Sequence, residues 1–322
     1  MHWPHYGAPR WLPGGHAQTI WPALVTPRPP PPAYRRERWD TPDRDFVDVD
    51  LLDGSTADAP MLVLFHGLEG SSASHYSVAF ARVAAERGWA YAVPHFRGCS
   101  GELNLAPRSY HSGDFEEIGW ILARLRAGRS QPLKVAGVSL GGNALLRWAE
   151  ENGAGAAQTA GAIAAISAPV DLAAAGHAIE RGFNRISYLR MFLATLKPKA
   201  LAKLRQHPKL ADAARIRSAR TLYEFDDAYT APVHGYRGVE DYWARASAKP
   251  HLHAIRVPTL VLNATNDPFV PGASLPRGTV PGGWVTLAQP RHGGHVGFPG
   301  GRFPGHLETM PQAVVRWLAE AG

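Results

Sequence analysis

Between Leu133 and Glu151 an apolar run passes directly into a helical pattern through Gly137-Val138-Ser139-Leu140-Gly141-Gly142. No other feature constrains the chain as much. A strand at 133–138 can join a helix at 141–151 this tightly only if small residues flank the turn. The serine at its apex is then pushed out of the backbone, where the helix N-terminus aims unpaired N–H groups. Ser139 is therefore the candidate nucleophile, the alternative being a serine in a purely structural turn.

The surrounding pattern supplies a sheet for that turn. Met61-Leu62-Val63-Leu64-Phe65 and Ala90-Tyr91-Ala92-Val93-Pro94 are short, nearly continuous apolar runs, as strands buried on both faces require. Helices are expected at about 74–87 and 113–127, and another strand at 161–167. This alternation predicts an α/β fold with a mainly parallel central sheet covered by helices. Phe46, Val47, Val49 and Leu51 suggest an antiparallel edge strand over 44–52. Strand character lapses over 170–250 and returns at 257–263 and 283–288, before a closing helix at 308–320. The expected division is an extended N-terminal arm packed on the core (1–43), a first core part (44–169), a mostly helical cap (170–250) and a second core part (251–322). The arm is set off by Pro27-Arg28-Pro29-Pro30-Pro31-Pro32, and its Trp3, Trp11, Trp21 and Trp39 would be costly to leave exposed.

With 45% apolar and 19% charged residues among 322, the chain can bury a large core, which excludes disordered and fibrous classes. It has no apolar run of membrane-spanning length and no leader-like start, so neither a span nor export is expected. Cys99 is the only cysteine, which excludes an intrachain disulfide and a cysteine metal cage. A cytoplasmic location follows as the expectation. The formal charge of +7 is concentrated in residues 181–220, where eleven Lys or Arg face one acid, Asp212.

A serine hydroxyl needs a base, and the base needs an acid to orient it. Asp267, in Asn266-Asp267-Pro268 beyond a strand end, is the favoured acid. It could instead cap a turn, and Asp171 is the reserve. His295, in His292-Gly293-Gly294-His295-Val296-Gly297-Phe298, is the favoured base, because the glycines let its loop swing toward Ser139; His292 is the competitor. Acyl transfer also needs two donors for an oxyanion. The N–H of Leu140 is one, and the N–H of Leu68, in His66-Gly67-Leu68-Glu69-Gly70, is the chosen second. His66 reads as a loop organiser, Cys99 as a small buried or pocket-lining group, and Ser112 or Asp114 as a helix cap. No metal and no cofactor is expected.

The segments Trp11 to Thr19, His66 to Ser71, Phe96 to Glu102, Gly137 to Asn143, Tyr236 to Trp243 and Gly293 to Phe298 together resemble the α/β-hydrolase superfamily. Within it they are similar to the YheT-like group of hydrolases and esterases, related to animal membrane-associated lipid hydrolases. The resemblance implies a carboxylic-ester hydrolase fold with Ser139 as nucleophile, Asp267 as acid, His295 as base, and Leu68 and Leu140 as oxyanion donors. The expected activity is hydrolysis of an acyl ester or lipid-like substrate through an acyl-enzyme. Alternatives are an acyl-thioester or amide hydrolase with the same residues, and a noncatalytic binding or scaffold protein. The segment containing Ile186, Tyr188, Leu189, Met191, Phe192, Leu193 and Leu196 is expected to shape an apolar acyl pocket. The basic residues among it read first as the solvated face of a packed cap, the alternative being weak contact with an anionic membrane surface and a peripheral position there. Nucleic-acid binding is not expected, since no recognition motif accompanies the charge.

Overall fold

The computed structural model describes residues 6–27 and 30–321. Trp3, Arg28 and Pro29 of the expected arm lie outside the described residues. In chain order the elements up to the sixth strand are α1 (Gly15–Leu24), β1 (Arg35–Asp40), β2 (Phe46–Leu52), β3 (Met61–Phe65), α2 (His75–Glu86), β4 (Ala90–Pro94), α3 (Phe115–Arg126), β5 (Leu133–Val138), α4 (Leu140–Asn152), α5 (Ala156–Thr159) and β6 (Ala160–Ile166). A helical insertion follows: α6 (Leu172–Ile179), α7 (Gly182–Ile186), α8 (Tyr188–Gln206), α9 (Ala213–Ser218), α10 (Leu222–Phe225), a π-helical turn at Asp226–Thr230, α11 (Ala231–Val233) and α12 (Val239–Ala246). The chain then returns to the sheet with β7 (Thr259–Leu262) and β8 (Val285–Ala288) and closes on α13 (Thr309–Ala321).

The strands form one sheet in the order β1-β2-β4-β3-β5-β6-β7-β8. Pairing is parallel from β4 through β8, while β1 and β2 are antiparallel to their neighbours. The order reverses at β3, so the loops following β3 and β5 open side by side at the carboxyl end of the sheet, the place where open α/β sheets bind ligands. β3, β5 and β6 are buried on both faces, which is why their apolar runs do not alternate. One core layer packs α3 and α4 against Val63, Val135 and Ile163, and the other packs α2 and α13 against Leu62, Leu64 and Ile166.

Two expectations change. β2 is not the edge strand: it lies between β1 and β4 and is buried on both faces up to Leu51. The alternation in 46–51 is real, but Asp48 and Asp50 are carried inward by ion pairs to Arg38 and Arg36 of β1 at 2.8 and 2.7 Å, so polarity does not mark solvent there. The N-terminal segment is also more than an extended arm. It contributes a helix and a strand, and Trp39 is buried against the ring of Trp120. Trp11 and Trp21 are only partly covered and pack on each other and on Phe303.

Candidate active site

Ser139 sits between β5 and α4 with φ 52° and ψ −119°, a left-handed backbone that a non-glycine residue adopts only when its surroundings enforce it. Its N–H donates to Ile166 O at 2.8 Å, tying the turn to β6. The flanking glycines leave no room for side chains. A Cβ at Gly137 would stand 2.5 Å from Gly141 O, and one at Gly141 would stand 2.5 Å from His66 O. Small residues are thus what lets the strand turn so sharply and presents the serine hydroxyl outward.

His295 Nε2 lies 3.0 Å from Ser139 Oγ, and His295 Nδ1 lies 2.8 Å from Asp267 Oδ2. A carboxylate only accepts, so Nδ1 carries the proton and donates it to Asp267, leaving Nε2 to accept from the Ser139 hydroxyl. Asp267 is buried, and its other oxygen accepts from the N–H groups of Phe269 and Val270 at 2.7 and 3.2 Å. It therefore caps its turn and orients the imidazole at once, so the two readings of this residue are complementary. The Phe269 ring covers His295 at 4.3 Å between centroids.

The residues weighed as alternatives lie elsewhere. Asp171 caps α6 by accepting from Ala174 N–H and pairs with Lys249 at 3.3 Å. His292 is exposed beside the loop. Cys99 does not line the cavity; it is packed near Glu69, Lys199 and Tyr110, and burial pushes its thiol up to about 12. Asp114 does not cap α3 with its side chain but takes the Arg108 guanidinium with both oxygens at 2.7 and 2.8 Å.

The loop after β3 is fixed by two tyrosines. Gly67 N–H donates to Tyr76 Oη at 2.9 Å and Glu69 N–H to Tyr110 Oη at 3.0 Å, while Tyr110 donates on to Glu69 Oε1 at 2.8 Å. Leu68, between them, has no acceptor for its N–H among the described residues; nor has Leu140, the first residue of α4. Both border the same cavity as Ser139 and His295. His66 is fully buried, its Nδ1 bonded to Gly67 O at 2.8 Å and its Nε2 accepting from Phe96 N–H at 3.1 Å. Burial lowers its pKa to about 3, so it stays neutral and staples this loop to the one after β4.

Support for His295 comes from a source that sequence pattern did not reveal. Gln18 of α1 is 1% exposed. Its Oε1 accepts from Gly293 N–H and Asn266 Nδ2, both at 2.9 Å, and its Nε2 donates to Leu12 O at 2.9 Å. Thr19 Oγ1 accepts from His295 N–H at 2.8 Å, and Ser167 Oγ accepts from Val296 N–H at 3.0 Å. α1 is thus wedged between the Asp267 and His295 loops. The fit is so close that a Cβ at Gly297 would stand 1.7 Å from Gln18 O. The sequence hint was the place of Gln18 and Thr19 in the Trp11 to Thr19 segment that carries the family resemblance, which assigns them no role.

The site opens into a cavity of about 160 Å³. Its floor includes Ser139, Leu140 and His295, and its walls include Leu172, Ile179, Phe192, Leu196, Leu222 and Phe225 from the insertion. The expected apolar stretch divides here: Phe192 and Leu196 face the cavity, Tyr188 and Leu189 pack with Phe269 and Val270, and Ile186 and Met191 point to solvent. Asp226 also borders the cavity, partly buried, accepting from Thr230 Oγ1 at 2.6 Å and Trp243 Nε1 at 2.9 Å. Burial raises its carboxyl pKa to about 6.

Comparison with known proteins agrees with this architecture. A family model described as alpha/beta hydrolase fold matches residues 60–301. YheT of Escherichia coli (strain K12) is 40% identical over 308 residues, covering 94% of this chain and 89% of that protein. Human phospholipase ABHD3 is 29% identical over 320 residues, covering 96% and 77% respectively. Among solved structures, Est1E from Butyrivibrio proteoclasticus with ferulic acid bound superposes with a TM-score of 0.56 at 16% identity, covering 90% of this chain and 99% of that one. From the sheet order, the strand–serine–helix turn and these matches together, the chain belongs to the alpha/beta hydrolase family.

Proposed function

We propose that the protein hydrolyses carboxylic esters through an acyl-enzyme on Ser139, with an acyl ester or lipid-like molecule as substrate. The reading rests on one observation: the 3.0 and 2.8 Å contacts that link Ser139, His295 and Asp267 beside two unpartnered amides at the floor of an apolar cavity.

In the first half of the cycle His295 Nε2 takes the Ser139 proton as Oγ bonds to the ester carbonyl carbon. The carbonyl oxygen becomes an oxyanion and accepts from the Leu68 and Leu140 N–H groups. Such a donor is worth about 10²–10³ in turnover. The tetrahedral centre collapses, the bond to the leaving oxygen breaks, and the imidazolium returns its proton to the departing alcohol. In the second half, water loses a proton to the same nitrogen, attacks the acyl carbon and releases the acid, while Ser139 recovers its proton. Asp267 holds the ring in the required tautomer and stabilises its charged form. No cofactor enters these steps.

The apolar walls contributed by the insertion favour an acyl chain over a polar group. The lipid-hydrolase name of the human relative agrees with that substrate class. The test is a panel of esters, thioesters and amides of graded acyl length, assayed on the protein and on Ser139→Ala. The expected result is ester turnover that falls by about 10⁴ or more in the variant. Turnover unchanged by the substitution overturns the proposal, and a panel in which only thioesters or amides react reassigns the leaving group.

A further inference from the structure

The positive region between Arg181 and Arg220 separates into two parts once folded. Its later part is satisfied at four of its eight cations, while Arg205, Lys209, Arg217 and Arg220 are exposed without an ion pair or side-chain hydrogen bond among the described residues. Lys203 is buried and donates to the carbonyls of Asn104 and Ala106, and Lys199 pairs with Glu69 at 2.8 Å. Lys197 donates to the carbonyls of Arg217 and Ala219, while Arg215 pairs with Asp227 at 2.5 Å.

The earlier part is not. Arg181, Arg185 and Arg190 are exposed, and among the described residues none has an ion pair or a side-chain hydrogen bond. Interleaved with them, Phe183, Ile186 and Met191 are 46%, 59% and 56% exposed. The chain has no acid from Arg181 to Ala211. Just before this stretch, Glu180 is occupied in accepting the Tyr223 N–H at 2.9 Å. Large apolar side chains half in water beside unpaired cations are costly for a free surface and suited to a face that is covered during function.

We propose that α7 and the first turn of α8 form a docking surface for an anionic lipid bilayer. Phe183, Ile186 and Met191 enter the acyl boundary, and Arg181, Arg185 and Arg190 meet the phosphate layer. The chemistry favours a bilayer over a nucleic acid because half of the surface is apolar and would gain nothing from a polyanion alone. The placement also suits the proposed reaction, on which this use of the surface rests. Phe192, one residue beyond Met191, lines the cavity, so the docked face is the outer side of the cavity wall. Each arginine near such a surface is worth about fivefold in partitioning.

The test is vesicle co-sedimentation of the Ser139→Ala protein, which needs no turnover and so stands apart from the proposed activity. Vesicles of phosphatidylcholine alone are compared with phosphatidylcholine containing phosphatidylglycerol, at low and high salt. The expected result is binding to the anionic vesicles at low salt and weaker binding at high salt, with at least about tenfold weaker partitioning to the neutral vesicles. Arg185→Glu/Arg190→Glu abolishes binding, and Met191→Asp weakens it at every salt concentration. Both variants, made on the serine-bearing protein, keep the wild-type melting temperature and turnover of a short soluble ester. Equal binding to both vesicle types overturns the proposal, as does wild-type binding by either variant. So does binding to double-stranded DNA as tight as to anionic vesicles and indifferent to Met191→Asp, which would mark a nonspecific polyanion surface.

Discussion

Gln18→Ala removes the amide that joins α1 to the two loops bearing Asp267 and His295. Three hydrogen bonds are lost at 2.9 Å each, and the Gly293 N–H, which is buried, is left without an acceptor. An unsatisfied buried donor costs about 1–3 kcal/mol, and truncating the side chain adds a small void. A total loss of about 2–4 kcal/mol is expected, which lowers the melting temperature by roughly 3–6 °C in a chain of this size. The greater consequence is positional. Gly293 and Gly294 lead directly into His295, and Gly294 N–H is itself held by Asn266 Oδ1 at 3.0 Å, so losing Gln18 frees both anchors together. A displacement of the imidazole near 1 Å reduces turnover about 10²-fold. The assay is steady-state hydrolysis of a short soluble ester well below the variant's melting temperature, beside thermal unfolding. A fall in kcat with little change in KM is expected. A destabilised variant with wild-type kcat would refute the reasoning, since α1 would then be structural only.

Gly141→Ala places a methyl 2.5 Å from His66 O and 2.6 Å from Phe65 O, backbone that cannot give way, so it is expected to destabilise by more than about 2 kcal/mol and to lose turnover; soluble, fully active protein contradicts this. Asp226 gives a pH test by thermal or urea unfolding. Its native pKa, about 6, lies above the 3.8 of an ordinary aspartate, so the native state binds the proton more tightly than the unfolded state. Its contribution is complete below pH 3.8 and is lost as pH rises through 6. Asp226→Asn should remove that slope and be the more stable by roughly 1–3 kcal/mol near pH 8, and a wild-type slope in the variant rules out Asp226 as its source. Asp267→Asn presents an amide to His295 Nδ1 and favours the wrong tautomer, with a drop in kcat of about 10⁴ expected; a drop below tenfold shows that the carboxylate does not orient the ring.

The strands β3 and β4 were legible to the residue because a strand buried on both faces reads as a nearly continuous apolar run, and β5 was too, although Lys134 interrupts it, because it runs straight into the serine turn. The serine turn was legible for a related reason: Gly137 and Gly141 are dictated by backbone contacts at 2.5 Å. The residues favoured as acid and base come together with Ser139, although their loops lie far along the chain from it. The N-terminal segment was misjudged. Asp48 and Asp50 look like solvent-facing positions until the arginines of β1 cover them, and a proline-rich flank hid that strand. Gln18 and Thr19 fall in a segment that carries the family resemblance, but their role was not legible because their partners, Gly293, Asn266 and His295, are about 250 residues or more away in sequence. The helical insertion was visible as a lapse in strand character. Which of its apolar residues faced inward was not: α8 buries Tyr188 and Leu189 on the core and leaves Met191 in water, a division set by how the helix sits rather than by its composition.

The central claim is that Ser139 carries the acyl group between two half-reactions. Rapid mixing with an activated ester, acid quenching and intact-mass analysis followed by peptide mapping address it directly. The expected result is one acyl increment, located on the peptide holding Gly137 to Asn143 at Ser139 and missing from Ser139→Ala. Acylation of another residue such as Cys99 with turnover retained in Ser139→Ala would contradict the account.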